Sequence, residues 1–119
     1  MPFKYEVSKG QIIQDVIYVV ASSFDDKRGA LWSVWSEDWE GLPKLKFNLD
    51  KVSVSKKNVL RGMHGDKKSW KFITVLSGEV FFALADVRVP QPDGSFKCES
   101  MTLNADNRTA ILVPPGVLN

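Results

Sequence analysis

His64 is the only histidine in the chain, and it stands between Arg61 and Lys71 in the most basic stretch of the sequence. An imidazole beside cations has its protonated form disfavoured, so it stays neutral near pH 7 and can accept a proton as a general base. The alternative is a histidine that only supports structure. One histidine excludes much. Zinc and iron sites in small barrels draw on two or more histidines, with carboxylates completing the set. No His-x-His pair exists here, and Cys98 is the sole cysteine. The expectation is therefore no metal, no cysteine cluster and no internal disulfide. No nucleophilic serine elbow, phosphate-binding glycine loop or dinucleotide fingerprint occurs either.

Charge is unevenly placed around this histidine. From Lys44 to Lys71 there are nine basic residues and two acids, Asp50 and Asp66, a local net of +7 within a chain of net +2. The remainder is acidic. A basic segment in an acidic chain points to an anionic small ligand that must be steered and held. A solvated lysine-rich face is the competing reading. Nucleic acid is not indicated, because helix-turn-helix spacing, zinc-finger spacing and the aromatic signature of RNA binders are all missing.

The elements that must position these residues read as short strands. Turn signals recur at Asp25–Gly29, Gly41–Pro43, Ser77–Gly78, Pro90–Gly94 and Asn104–Asn107, with β-rich runs between them. Ser77–Gly78 reads as a tight hairpin joining Lys71–Leu76 to Glu79–Arg88. Such spacing predicts a sandwich or barrel. Trp32, Trp35 and Trp39 would fit one helical turn, but their β-rich surroundings and Pro43 favour strand then loop, with the indoles as packing rather than ligand-stacking groups. Successive strand side chains point to opposite faces. Lys71 therefore shares a face with Ile73 and Val75, and His64 with Leu60 if Val59–His64 is a strand. Entry of His64 and Lys71 into an apolar interior would desolvate both and lower both pKa values.

The 119 residues suit one domain, expected over 1–119, with N-terminal strands in 1–57 and the chemical core in 58–119. No apolar run approaches the roughly 18 residues of a membrane span, and Met1 to Gln11 carries charges in place of a signal-peptide core. A cytoplasmic protein with no membrane partner is expected.

The series Asn58-Val59-Leu60-Arg61-Gly62-Met63-His64-Gly65, then Lys71, Gly78, Asp86-Val87-Arg88 and Val113-Pro114-Pro115-Gly116, resembles the dTDP-4-dehydrorhamnose 3,5-epimerase family of cupins. Phe24 to Gly29 also fits that family's entry motif, and the short loop from Gly65 to Lys71 is similar to the branch acting on nucleotide-linked 4-keto heptoses. The resemblance implies an all-β cupin jelly-roll barrel. It implies that His64 removes a proton next to a C4 ketone and that Lys71 stabilises the enolate oxygen. Arg61 and Arg28 match positions that contact the sugar or its diphosphate. In the family Arg28 reaches a neighbouring subunit's site, so a homodimer is implied. On the residues alone, Arg28 fits a turn salt bridge with Asp25 or Asp26 as readily, and Lys71 fits a barrel-rim lysine reaching for water.

The chain also departs from the family pattern. Leu49 and Lys51 replace a polar Gln-x-Asn pair ahead of Ser53 and Ser55, and Asn119 replaces the usual histidine after the Pro-x-Gly turn. Ser53 and Asn119 are nonetheless expected to contact substrate. The family's acid tyrosine and base-orienting carboxylate lie beyond Asn119, so a barrel incomplete at its C-terminus is expected. The expected activity is epimerisation of a nucleotide-diphosphate 4-keto sugar at C3, C5 or both, with no cofactor. The alternatives are a non-catalytic sugar-nucleotide binding module and an inactive fragment of such an epimerase.

Overall fold

The computed structural model describes residues 4–119; Met1 to Phe3, part of the N-terminal segment read above, lie outside the described residues. Nine strands are described: β1 Tyr5–Lys9, β2 Ile17–Ala21, β3 Phe24–Asp26, β4 Gly29–Leu31, β5 Lys71–Thr74, β6 Glu79–Asp86, β7 Lys97–Asn104, β8 Thr109–Val113 and β9 Val117–Leu118. No helix occurs among the described residues. All strand pairs are antiparallel, and they form a four-stranded sheet (β1-β2-β8-β5), a three-stranded sheet (β7-β6-β9) and a separate β3-β4 hairpin.

β8 explains much of this arrangement. After Thr109 its sequence Ala-Ile-Leu-Val is an unbroken apolar run, as expected of a strand covered on both faces. It sits between β2 and β5, and Ala110 to Val113 are all buried. Its inward residues Ile111 and Val113 join Ile13, Val16, Leu84, Leu103 and Val117 in the core between the two larger sheets. Burying each such side chain contributes about 1.5–3 kcal/mol relative to leaving it in water. The opposite face is covered by aromatic side chains. Trp35 meets Phe72 and Phe47 edge-on at 4.9 Å, and Trp39 stacks on Tyr5 at 5.2 Å. The indoles at 35 and 39 are thus packing groups, carried on a loop rather than on a helical turn.

Two local expectations are corrected. Ser77–Gly78 does not close a hairpin: β5 pairs with β8 while β6 pairs with β7 and β9, so this tight turn carries the chain from one sheet to the other. Val59–His64 is not a strand, and no strand forms anywhere from Trp32 to Trp70. Its apolar residues lack a sheet to pack on, and Leu60 is 94% exposed.

Candidate active site

Lys71 opens β5, directly opposite Val113 and two residues before Ile73, which lies opposite Ile111. That register puts Lys71 on the inward face with Ile73 and Val75, both of which pack on the core, as strand parity requires. Its ammonium does not end in hydrocarbon. Nζ donates to Asn119 Oδ1 at 2.9 Å and, at the limit of a hydrogen bond, to the His64 carbonyl at 3.4 Å. Both acceptors are neutral, so neither cancels the positive charge.

His64 reaches the same place by its main chain. Its N–H donates to the Asn119 carbonyl at 2.6 Å, and the Asn119 N–H returns a bond to the His64 carbonyl at 2.9 Å. The segment carrying the histidine thereby lies along the end of β9 without being a strand. Gly62 permits this approach: its φ is +114°, and a Cβ there would stand 3.0 Å from the Asn119 carbonyl oxygen. The glycine two residues before His64 is therefore a steric requirement. The His64 side chain is exposed rather than enclosed by apolar walls, so the expected desolvation of the imidazole is corrected. The strand that would have turned it inward does not form. Lys71 is partly buried.

The loop between them is set by Asp66. Its Oδ1 accepts the N–H groups of Lys68 and Ser69 at 2.7 and 2.6 Å. These bonds, with a smaller contribution from the Lys71 charge, hold the Asp66 carboxyl below its ordinary value.

Arg61 and Arg28 make their hydrogen bonds elsewhere. Arg61 is exposed and folds back on the extended stretch before it, donating from Nε to Ser55 Oγ at 2.8 Å. Ser53 lies exposed in that same stretch. Arg28 sits on the β3-β4 hairpin, its side chain 88% exposed, and forks onto Asp26 through Nε at 3.0 Å and Nη2 at 2.6 Å. Within one chain Arg28 makes the turn salt bridge and is not brought to His64 or Lys71. Among the described residues no group of three or more His, Cys, Asp and Glu side chains assembles into a metal-binding set, and no helix is long and apolar enough to cross a membrane.

Sequence reading overlooked a second, partly buried polar cluster. Tyr18 O–H donates to Glu99 Oε2, while Glu99 Oε1 accepts the N–H groups of Ile12 and Ile13 at 2.9 and 3.0 Å. Burial pushes the Glu99 carboxyl up, but the bonds from Tyr18 and from the N–H groups of Ile13, Ile12 and Gln11 outweigh it and hold the group below its ordinary value. Burial, and then Glu99 itself, raise the Tyr18 phenol well above its ordinary value. The signal was available: Glu99 stands two and four residues before Met101 and Leu103, a parity that points a carboxylate inward.

Comparison with known proteins gives the family and the fold. Residues 11–119 match the family model described as dTDP-4-dehydrorhamnose 3,5-epimerase. The chain is 33% identical over 110 residues to the dTDP-4-dehydrorhamnose 3,5-epimerase of Salmonella typhimurium, a match covering 87% of this chain and 60% of that protein. The Escherichia coli K12 protein of the same name is 32% identical over 111 residues, covering 87% and 59%. Among solved structures, the Sulfolobus tokodaii dTDP-4-dehydrorhamnose 3,5-epimerase superposes with a TM-score of 0.79 at 29% identity, covering 99% of this chain and 66% of that one. The Legionella pneumophila dTDP-6-deoxy-D-glucose-3,5-epimerase, solved in complex with dTDP-4-keto-L-rhamnose, superposes with a TM-score of 0.82 at 26% identity, covering 97% and 63%. The all-β cupin fold is shared with these structures. The chain spans about 60% of the length of the curated relatives it matches, and relative to them its barrel is incomplete.

Proposed function

This chain belongs to the dTDP-4-dehydrorhamnose 3,5-epimerase family, and from that premise we propose that it forms the proton-abstracting side of an epimerase for a nucleotide-linked 4-keto sugar. The observation that carries the reading is the joint hold of Asn119 on the His64 main chain and the Lys71 ammonium. A C–H next to a ketone is acidic because the electron pair left behind spreads onto the ketone oxygen. His64 takes the proton from C3 or C5, the C4 oxygen becomes an enolate, and Lys71 meets the charge that develops there. Return of a proton to the opposite face inverts the centre; return to the same face exchanges the hydrogen without inversion.

Arg61, Ser53 and Asn119 are proposed to contact the sugar or its diphosphate, for which the guanidinium fork of Arg61 is suited. Arg28 is proposed to serve the site of a second copy, which makes the working unit a homodimer of single cupin domains over 1–119. Among the described residues Lys71 closes no ion pair and its hydrogen-bond acceptors are neutral, which supports its acting on an anion, with the Asp66 carboxylate as a more distant countercharge. A cytoplasmic location is part of the same proposal, because sugar nucleotides are made and consumed there. A second reading, a sugar-nucleotide binding module without turnover, is favoured by the exposure of the His64 imidazole.

Binding measurements separate the roles. Titration of wild type, His64→Asn and Arg61→Ala with a 4-keto sugar nucleotide is expected to show wild-type affinity for His64→Asn, because a base acts chiefly on the transition state. Arg61→Ala should lose about 1.5–3 kcal/mol, the scale of a hydrogen bond to a charged group. Absence of any binding by wild type would reject both readings.

A further inference from the structure

We infer that Arg88 is a positioning residue for the His64–Lys71–Asn119 cluster and that it acts through Gly116. The inference rests on the proposed reading of that cluster as the chemical centre. Arg88 follows β6, and its guanidinium ties together two distant pieces of chain. Nε and Nη2 fork onto the Asp86 carboxylate, each at 2.8 Å, and Nη1 reaches Asp15, in the connection between β1 and β2, at 2.7 Å. The side chain is 33% exposed, so these bonds are only partly screened by water. A planar fork fixes direction as well as distance.

The stem of Arg88 has a separate task. A Cβ on Gly116 would lie 2.5 Å from Arg88 Cγ and 3.0 Å from Cδ, so the stem occupies the space any side chain at 116 would need. Gly116 also holds a φ of +85°, which disfavours other residues on conformational grounds alone. This glycine is a junction. Its carbonyl accepts from Val87 N–H at 3.3 Å, next to Arg88, and its own N–H donates to the Asp66 carbonyl at 2.9 Å, in the loop that carries His64. Three residues later comes Asn119, which holds both His64 and Lys71. Movement of Gly116 is therefore passed in two directions to the same cluster, through Asp66 and through β9. With two carboxylates as partners, the Arg88 charge is locally neutralised. What remains for it to contribute is geometry, and a displacement of about 1 Å at a reacting group can cost on the order of a hundredfold in rate.

Amide hydrogen exchange by NMR tests this without needing turnover, and His64 as the sole histidine gives one set of imidazole resonances. In the full chain, Arg88→Ala should speed exchange at the His64 and Asn119 amides by about tenfold or more and shift the imidazole signals. Val19 and Ile111, in β2 and β8, should stay within about twofold of wild type. Arg88→Lys, which keeps the stem and one charge, should restore part of the protection. Asp15→Asn removes one partner only and should move His64 and Asn119 in the same direction by less; it decides the matter if Arg88→Ala does not fold. Unchanged exchange at His64 and Asn119, or a parallel increase at all four amides, overturns the inference. Where wild type turns over a 4-keto sugar nucleotide, Arg88→Lys should lower kcat with KM unchanged. If wild type neither turns over the sugar nor exchanges its C3 or C5 hydrogen with solvent, the proposed function fails while amide exchange still decides the role of Arg88.

Discussion

His64 and Asn119 exchange both main-chain hydrogen bonds, at 2.6 and 2.9 Å, although 55 positions separate them and His64 lies in no strand. The proposed base is thus located by its backbone, which leaves the imidazole unencumbered. The residue that locates it also accepts from Lys71. One asparagine thus holds both the proposed base and its proposed oxyanion partner.

This double hold makes Asn119 and Lys71 separable by mutation. Lys71→Met should lower the rate of hydrogen exchange into a bound 4-keto sugar by about a hundredfold or more, the scale of removing one preorganised oxyanion donor. Asn119→Asp places a carboxylate 2.9 Å from the ammonium and neutralises it. Its rate should fall towards that of Lys71→Met even though the cluster is held more tightly. Single-turnover exchange, followed by NMR for both variants, checks the pair. A faster Asn119→Asp would mean that the free charge on Lys71 is not what matters.

Gly62→Ala tests the backbone clamp. A Cβ in a backbone with φ of +114°, facing the Asn119 carbonyl at 3.0 Å, should cost about 1–3 kcal/mol. Denaturant unfolding measures the loss, and it should be accompanied by faster amide exchange at His64. Stability equal to wild type would show that the segment moves aside at no cost.

The Tyr18–Glu99 bridge should shape stability at both ends of the pH scale. Glu99 lies below its ordinary value of 4.5, so its contribution is complete above that value and is lost as the pH falls through the lower folded value. Tyr18 lies above its ordinary value of 10.0, so its contribution is complete below that value and is lost only as the pH rises through the higher folded value. Unfolding free energies measured against pH should show an acid slope that is shallower in Glu99→Gln. Tyr18→Phe should cost about 1–2 kcal/mol at neutral pH through the lost hydrogen bond. A Glu99→Gln acid slope identical to wild type would remove the carboxylate from the explanation.

Period-two patterning was enough to place Lys71, because a lysine two and four residues before Ile73 and Val75 must share their face in any strand. The same rule misled at His64. Val59 to His64 has a strand's composition, yet it is held through His64 by Asn119, the residue after β9, and its approach depends on Gly62, a non-local fact invisible to a local pattern. Ser77–Gly78 failed for a related reason: a tight turn reverses the chain equally well within a sheet or between two. Arg28 could be read either as a turn salt bridge or as a site residue. Within a single chain it is paired with Asp26. Glu99 was missed, and Arg88 was given no role beyond its motif, because the partners Tyr18 and Asp15 lie 81 and 73 positions away.

Proton abstraction by His64 is tested most directly by incubating the protein with a nucleotide-linked 4-keto sugar in deuterium oxide and following C3 and C5 by NMR and mass spectrometry. Wild type is expected to introduce deuterium at one or both carbons. His64→Asn is expected to introduce none above the protein-free background while still binding the sugar nucleotide. Deuterium incorporation by His64→Asn at the wild-type rate would contradict the assignment of His64 as the base.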